Sequence, residues 1–99
     1  MTVLIDQVLP GVPRQMVETL AKEMDVQANP PTGLIIHVAT EVPDGVRVVD
    51  VWQSQADFDR FRRELLDPSV ARLMEAQGQV PQEMPAFNSA DVFEVVQGH

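Results

Sequence analysis

The chain has 99 residues, 44% of them hydrophobic and 22% charged, which suits one small domain over residues 1–99 and is too apolar for disorder. It contains no cysteine, which excludes disulfides, iron–sulfur clusters, thiolate zinc sites and a cysteine nucleophile. A net charge of −8 sets it against nucleic acid and anionic membranes, so neither is expected as a partner. No basic leader with a long apolar run opens the sequence, and nothing approaches the ~20 apolar residues of a membrane span, so a cytoplasmic protein is expected.

Residues 2–9, TVLIDQVL, have strand composition and end at Pro10-Gly11. Pro13 suits a first helical turn, and Met16, Val17, Leu20, Ala21 and Met24 follow at helical spacing until Asn29-Pro30-Pro31 stops the run. Gly33–Thr40 and Val46–Trp52 read as two strands around Val42-Pro43-Asp44-Gly45. Proline second and glycine fourth in that tetrapeptide predict a type I turn closed by a glycine bulge. The resulting register pairs Val42 with Val46, Thr40 with Val48, Val38 with Asp50 and Ile36 with Trp52 on one face. The other face pairs Glu41 with Arg47, Ala39 with Val49 and His37 with Val51. Both faces are largely apolar, so this sheet should be covered on both sides.

Ser54 is a good N-cap, with Asp57 three residues on in place of the usual glutamate of a capping box. Ala56, Phe58, Phe61, Leu65 and Leu66 form the apolar face of a second helix, which Asp67-Pro68 should break before a short helix carrying Val70, Leu73 and Met74. In the second helix, Asp59 with Arg63 and Arg60 with Glu64 are spaced for surface ion pairs. Gly78 ends the short helix, residues 79–90 read as a loop that could close over a pocket, and Asp91–Gln97 is the last strand. The order β-α-β-β-α-β predicts an α+β, ferredoxin-like fold: a four-stranded antiparallel sheet with both helices on one face. No part of the chain remains for the other face. A second copy packed sheet against sheet would cover it, giving a homodimeric α/β barrel in which Ile35, His37, Ala39, Val49 and Val51 are buried.

The Gly33-x-x-x-His37 strand, the Asp44-Gly45 hairpin, Val49-Asp50-Val51-Trp52 and Ser54-x-x-x-Phe58-x-x-Phe61 together resemble the antibiotic biosynthesis monooxygenase family of small dimeric α/β-barrel proteins. That resemblance implies several activities: cofactor-free oxygenation of aromatic polyketides, haem degradation, polyketide cyclisation and isomerisation. Haem-degrading relatives use a histidine in the second helical region, and residues 54–78 have none. Quinone-forming relatives use tryptophan, asparagine and tyrosine. Trp52 matches, tyrosine is absent, and Asn29 and Asn88 both fall in expected loops.

Three residues of the central strands stand out. Asp50 is expected to share the helix-facing side with Leu34, Ile36, Val38 and Trp52, where it either fixes the fold through a hydrogen bond or, desolvated, draws a proton from a phenol. Trp52 either stacks on a flat aromatic ligand or anchors the second helix in the core. His37, expected on the dimer face, is either a satisfied interface imidazole or a proton shuttle, and it has no companion for a metal site. Met16, Met24, Met74 and Met84 fill the core or soften a pocket.

No glycine-rich phosphate loop, flavin motif or metal-binding motif is present, so neither a cofactor nor a metal is expected. The leading expectation is a cofactor-independent monooxygenase acting on a flat aromatic or polyketide-like molecule. Asp50, Trp52 and His37 would supply its chemistry, and Trp52, Ile36, Phe61 and Phe87 would bind the substrate. Two other readings stay open: a non-catalytic module for a small ligand or partner protein, and a cyclase or isomerase with His37 or Asp50 as base.

Overall fold

Alternation along the first strand sets the layers. In β1 (Val3–Pro10), Val3, Ile5 and Gln7 are buried, while Leu4, Asp6 and Val8 point the other way. The computed structural model describes residues 1–79 and 84–98. After β1 come α1 (Arg14–Met24), β2 (Leu34–Val42), β3 (Gly45–Trp52), α2 (Gln55–Phe61), a π-helical turn (Arg62–Leu66), α3 (Asp67–Ala76) and β4 (Asn88–Asp91). The strands are antiparallel in the order β2-β3-β1-β4, and the helices lie on one side. This is the ferredoxin-like α+β arrangement. Among the described residues no helix is long and apolar enough to cross a membrane.

The apolar stripe of α1 (Met16, Val17, Leu20, Ala21, Met24) is half-buried as its spacing predicts. Ser54 caps α2 as expected. Its Oγ accepts from the Asp57 backbone N–H at 3.1 Å and donates to Asp57 Oδ2 at 3.0 Å. Gly33 makes room for that cap: its φ is +91°, and a Cβ there would lie 2.4 Å from Asp57 Oδ2. The Gln53 N–H donates to the Gly33 carbonyl at 2.8 Å, which fixes the start of β2 against the start of α2.

The hairpin register differs from the expected one by a residue. Val42 pairs with Gly45, Thr40 with Arg47, Val38 with Val49 and His37 with Asp50, and a bulge lies between Leu34 and Ile36. The loop is the two residues Pro43 and Asp44. Gly45 serves the neighbouring strand: a Cβ there would sit 2.2 Å from the Leu9 carbonyl oxygen, and the Asp44 carbonyl accepts from the Gly11 N–H at 2.6 Å. Contacts with β1 and the residues after it, absent from any local turn rule, thus accompany this register and require glycine at position 45. A one-residue slip turns over the side chains of β2 from Ile36 onward, while Leu34, before the bulge, lies opposite Trp52 and stays on the helix side as expected. His37 and Ala39 therefore join Asp50 and Trp52 on the helix side, while Ile36 and Val38 join Val49 and Val51 on the open side. The open side of the sheet accordingly carries Leu4, Val8, Ile36, Val38, Val49 and Val51, and His37 and Ala39, which were expected on that side under a second copy, lie on the helix side. The expected Glu41–Arg47 pair does not form. Arg47 instead makes two 3.0 Å bonds to the carboxylate of Asp6, and Glu41 bonds Arg14.

Asp67-Pro68 does not break the helical region. The backbone stays right-handed helical through Arg62 and Asp67, and the Asp67 N–H reaches back to the Arg62 carbonyl. Widening the turn accommodates a proline whose ring would crowd the carbonyl four residues earlier. The expected Asp59–Arg63 and Arg60–Glu64 pairs do not form; Arg60 pairs back to Asp57 within α2, and Arg62 pairs across the π turn with Asp67. Ala56, expected on the apolar face, is exposed. The last strand is Asn88–Asp91, earlier than expected, and Val92–Gly98 has no regular structure. The expected loop and lid over 79–90 lies in part outside the described residues, as does His99.

Candidate functional site

Trp52 ends β3 and is the anchor of the core at 1% exposure, packed with Val3, Ile5 and Phe58. Its ring meets Phe58 edge-on at 5.7 Å and Phe61 at 5.2 Å, and Phe58 meets Phe87 at 5.2 Å. Arg62, on the π turn, places its guanidinium 4.6 Å above the Phe87 ring. The helix-side space beside β3 is thus filled by aromatic rings from α2 and the segment before β4. Trp52 anchors the core, and its ring is closed to ligands in this conformation.

Two residues back on the same face, Asp50 is 7% exposed, and both its oxygens are engaged. Trp52 Nε1–H donates to Oδ2 at 3.2 Å, and His37 Nδ1 lies 2.6 Å from Oδ1. A carboxylate only accepts, so the His37 proton sits on Nδ1, leaving Nε2 as the outward nitrogen. His37 stands on the edge strand and keeps 40% of its side chain exposed. The hydrogen bond that His37 donates to Asp50 raises the imidazole pKa above its usual value. Desolvation opposes this, and the Asp50 charge adds to the rise. The result is a solvent-reaching imidazole oriented by a buried carboxylate, which is itself held by an indole N–H.

Of the residues expected in the site, His37, Asp50 and Trp52 form one hydrogen-bonded chain, although the expected register put His37 on the opposite face. Phe61 and Phe87 belong to the aromatic cluster around Trp52. Ile36 does not. It lies on the open side, opposite Val51, and is 52% exposed. Asn88 is in β4, paired with Asp6 on that same open side. Gln7 was not foreseen. It is buried, and its Nε2 donates to the Pro85 carbonyl at 2.8 Å, tying the segment that carries Phe87 to β1. Its signal was a lone amide in the buried row Val3-Ile5-Gln7.

An open cleft of about 460 Å³ between α1 and the sheet is lined by Arg14, Val17, Glu18, Ala39, Thr40, Glu41 and Val46. It is not lined by the dyad, but Ala39 and Glu41 continue the row of β2 that begins at His37. A second cleft lies around Arg62, Met84 and Phe87.

No family model and no curated protein sequence matches the chain. Solved structures share its fold. A provisionally assigned antibiotic biosynthesis monooxygenase from Chloroflexus aurantiacus J-10-fl is 17% identical with a TM-score of 0.56, over 100% of this chain and 97% of that one. SnoaB, a cofactor-independent oxygenase from Streptomyces nogalater, is 13% identical with a TM-score of 0.54, over 98% and 94%. A dimeric ferredoxin-like protein from an uncultured marine organism is 16% identical with a TM-score of 0.58, over 98% and 93%. At these identities the likeness is one of fold.

Proposed function

We propose that the protein is a cofactor-independent enzyme that begins its reaction by taking a proton from a flat, acidic small molecule, a phenol or enol of polyketide type. The observation that carries this is the 2.6 Å bond from half-exposed His37 to buried Asp50. Neutral His37 accepts the proton at Nε2, and Asp50 orients the ring and stabilises the imidazolium. Asp50 is not itself the base, because both its oxygens are occupied and it is buried. The deprotonated, electron-rich substrate then gives electrons to dioxygen: a C–O bond forms at the attacked carbon, the O–O bond breaks, that carbon becomes a quinone-type carbonyl, and the two hydrogens the substrate loses leave with the second oxygen as water, so the substrate is its own reductant. The fold shared with SnoaB supports the oxygenase outcome over simple isomerisation. The cleft along Ala39 and Glu41 is the approach to His37.

The test is oxygen uptake with a panel of anthrones, naphthols and flavonoids. His37→Gln should lower turnover on the order of a hundredfold or more. The rate should climb with pH through the raised value of His37, because the base must be neutral. Asp50→Asn should move that limb to lower pH. A limb that stays in place would separate Asp50 from the reaction. Substrate turnover without oxygen uptake would point to a cyclase or isomerase using the same base.

A second reading, a non-catalytic binding module, is favoured by one observation: the aromatic cluster leaves no cavity at Trp52. Saturable binding without turnover would select it.

We also propose a homodimer with the open sheet faces packed together. Val8, Ile36 and Val38 are 44%, 52% and 47% exposed there, a row that water does not favour.

A further inference from the structure

Phe87 is the one member of the aromatic cluster that lies on neither a helix nor a strand. It precedes β4 and stands half-buried between exposed neighbours, Ala86 and Asn88. Its ring meets Phe58 edge-on at 5.2 Å and lies under the Arg62 guanidinium, 4.6 Å from the ring centre. Among the described residues a single hydrogen bond holds the backbone just before it, from Gln7 Nε2 to the Pro85 carbonyl at 2.8 Å. Beside the ring opens the second cleft, about 540 Å³, lined by Arg62, Met84, Pro85, Ala86 and Phe87 itself.

None of these ring contacts is particular to phenylalanine. An aromatic edge and a cation over the ring face recognise any flat π system, and the cation holds it more strongly as the ring gains electrons. The Phe87 ring is neutral. An ionised phenol or enol carries a full negative charge and draws a guanidinium by Coulomb attraction as well. In a chain of net charge −8, holding an anion needs a local cation. Arg62 supplies one from the first position of the π turn, a widened turn of a kind that recurs at functional sites. Its ion partner Asp67 is 3.4 Å away, and both side chains are solvent-accessible, so that pair is weak and leaves the guanidinium open to a better partner.

We propose that Phe87 is a stand-in for a ligand: its ring fills a seat for an ionised, planar aromatic ring between Phe58 and Arg62, and it turns into the adjoining cleft when such a ring arrives. The move is a side-chain rotation with the backbone in place, and the cleft has room for a phenyl ring. The proposal stands apart from proton abstraction at His37. It concerns where an ionised ring is held, by residues that reading does not use.

Alizarin is a suitable probe, a planar phenol whose ionisation near neutral pH changes its colour. Titrated into the full chain, it should bind once per chain and quench Trp52, the sole tryptophan. Its colour change should move to lower pH, because the protein holds the anion. Phe87→Ala removes the competing ring and should tighten binding on the order of tenfold. Arg62→Gln keeps a polar side chain without the charge and should abolish the colour shift. Far-UV circular dichroism reports whether the variants stay folded. Should Phe87→Ala fail to fold, Phe87→Leu keeps apolar bulk without a ring and should tighten binding in the same direction. Unchanged or weaker binding in the folded Phe87 variant overturns the stand-in. A colour shift that survives Arg62→Gln, or that is lost in His37→Gln, overturns the Arg62 seat, as does a wild-type chain that neither binds the dye nor shifts it. Oxygen uptake is no part of this readout, so the reaction at His37 and the seat at Arg62 stand or fall separately.

Discussion

The two faces of β3 make the most instructive contrast in the molecule. On one, Asp50 and Trp52 are buried, and their polar atoms are bonded to each other and to His37. Among the described residues no buried side-chain nitrogen or oxygen lacks a partner. On the other, Val49 and Val51 share a row with the exposed Ile36 and Val38, and the principal polar contact is Arg47 with Asp6. The first face is completed inside the chain, by helices and aromatic rings. The second is apolar and, among the described residues, has no cover of its own. One helical layer covers one side of a sheet, and among the described residues that layer lies on the side of Asp50 and Trp52.

If that contrast is right, substitutions on the covered face should be far more damaging to the single chain than substitutions on the open face. Trp52→Ala should be the worst, costing about 3–5 kcal/mol through the cavity left among Val3, Ile5, Phe58 and Phe61. Urea unfolding followed by circular dichroism measures it, and a loss under about 1 kcal/mol would mean Trp52 is not the anchor. Asp50→Ala should cost about 2–3 kcal/mol, since it strands the buried Trp52 N–H. Asp50→Asn keeps an acceptor for that N–H, so it should be milder. If alanine and asparagine proved equal, the indole bond would carry no weight.

The His37–Asp50 pair should add less, about 1 kcal/mol or below, because the imidazole is 40% exposed and solvent screens it. Its pH dependence has a definite sign. The folded value is raised above the unfolded one, so the contribution is complete below about pH 6.5 and fades as pH rises through the raised folded value. Stability of wild type minus His37→Gln, followed against pH, should show that fall. A flat difference would sever the pair. With only two histidines in the chain, the imidazole resonances give the same titration directly.

Smallest of all, Ile36→Lys should change the stability of the isolated chain by no more than about 0.5 kcal/mol, as surface changes do. The same substitution should abolish the proposed dimer in sedimentation. A large loss of monomer stability would show that the open face is already covered within the chain.

Much of this protein was legible in the sequence. Strand composition, the Ser54 cap, the α1 stripe and the Pro-Asp-Gly turn gave the element order, and the order gave the ferredoxin-like fold. Asp50, Trp52 and His37 were visible as odd residues in apolar strands. Such features are local: they depend on residues a few positions apart.

What the sequence could not decide was set by contacts distant along the chain. The Leu9 carbonyl runs so close beside Gly45 that no side chain fits there, and the hairpin register lies one residue from the locally expected one, which sets His37 beside Asp50 and takes Ile36 to the open side. Pro68 is absorbed by a wider helical turn because neighbouring helical segments continue through it. The final strand is limited to Asn88–Asp91, paired with Val3–Asp6 of β1, although the residues beyond have strand composition. A pattern of alternation says that a strand has two faces. Which face meets the helices, and what it finds there, is decided by packing against residues far away in the chain.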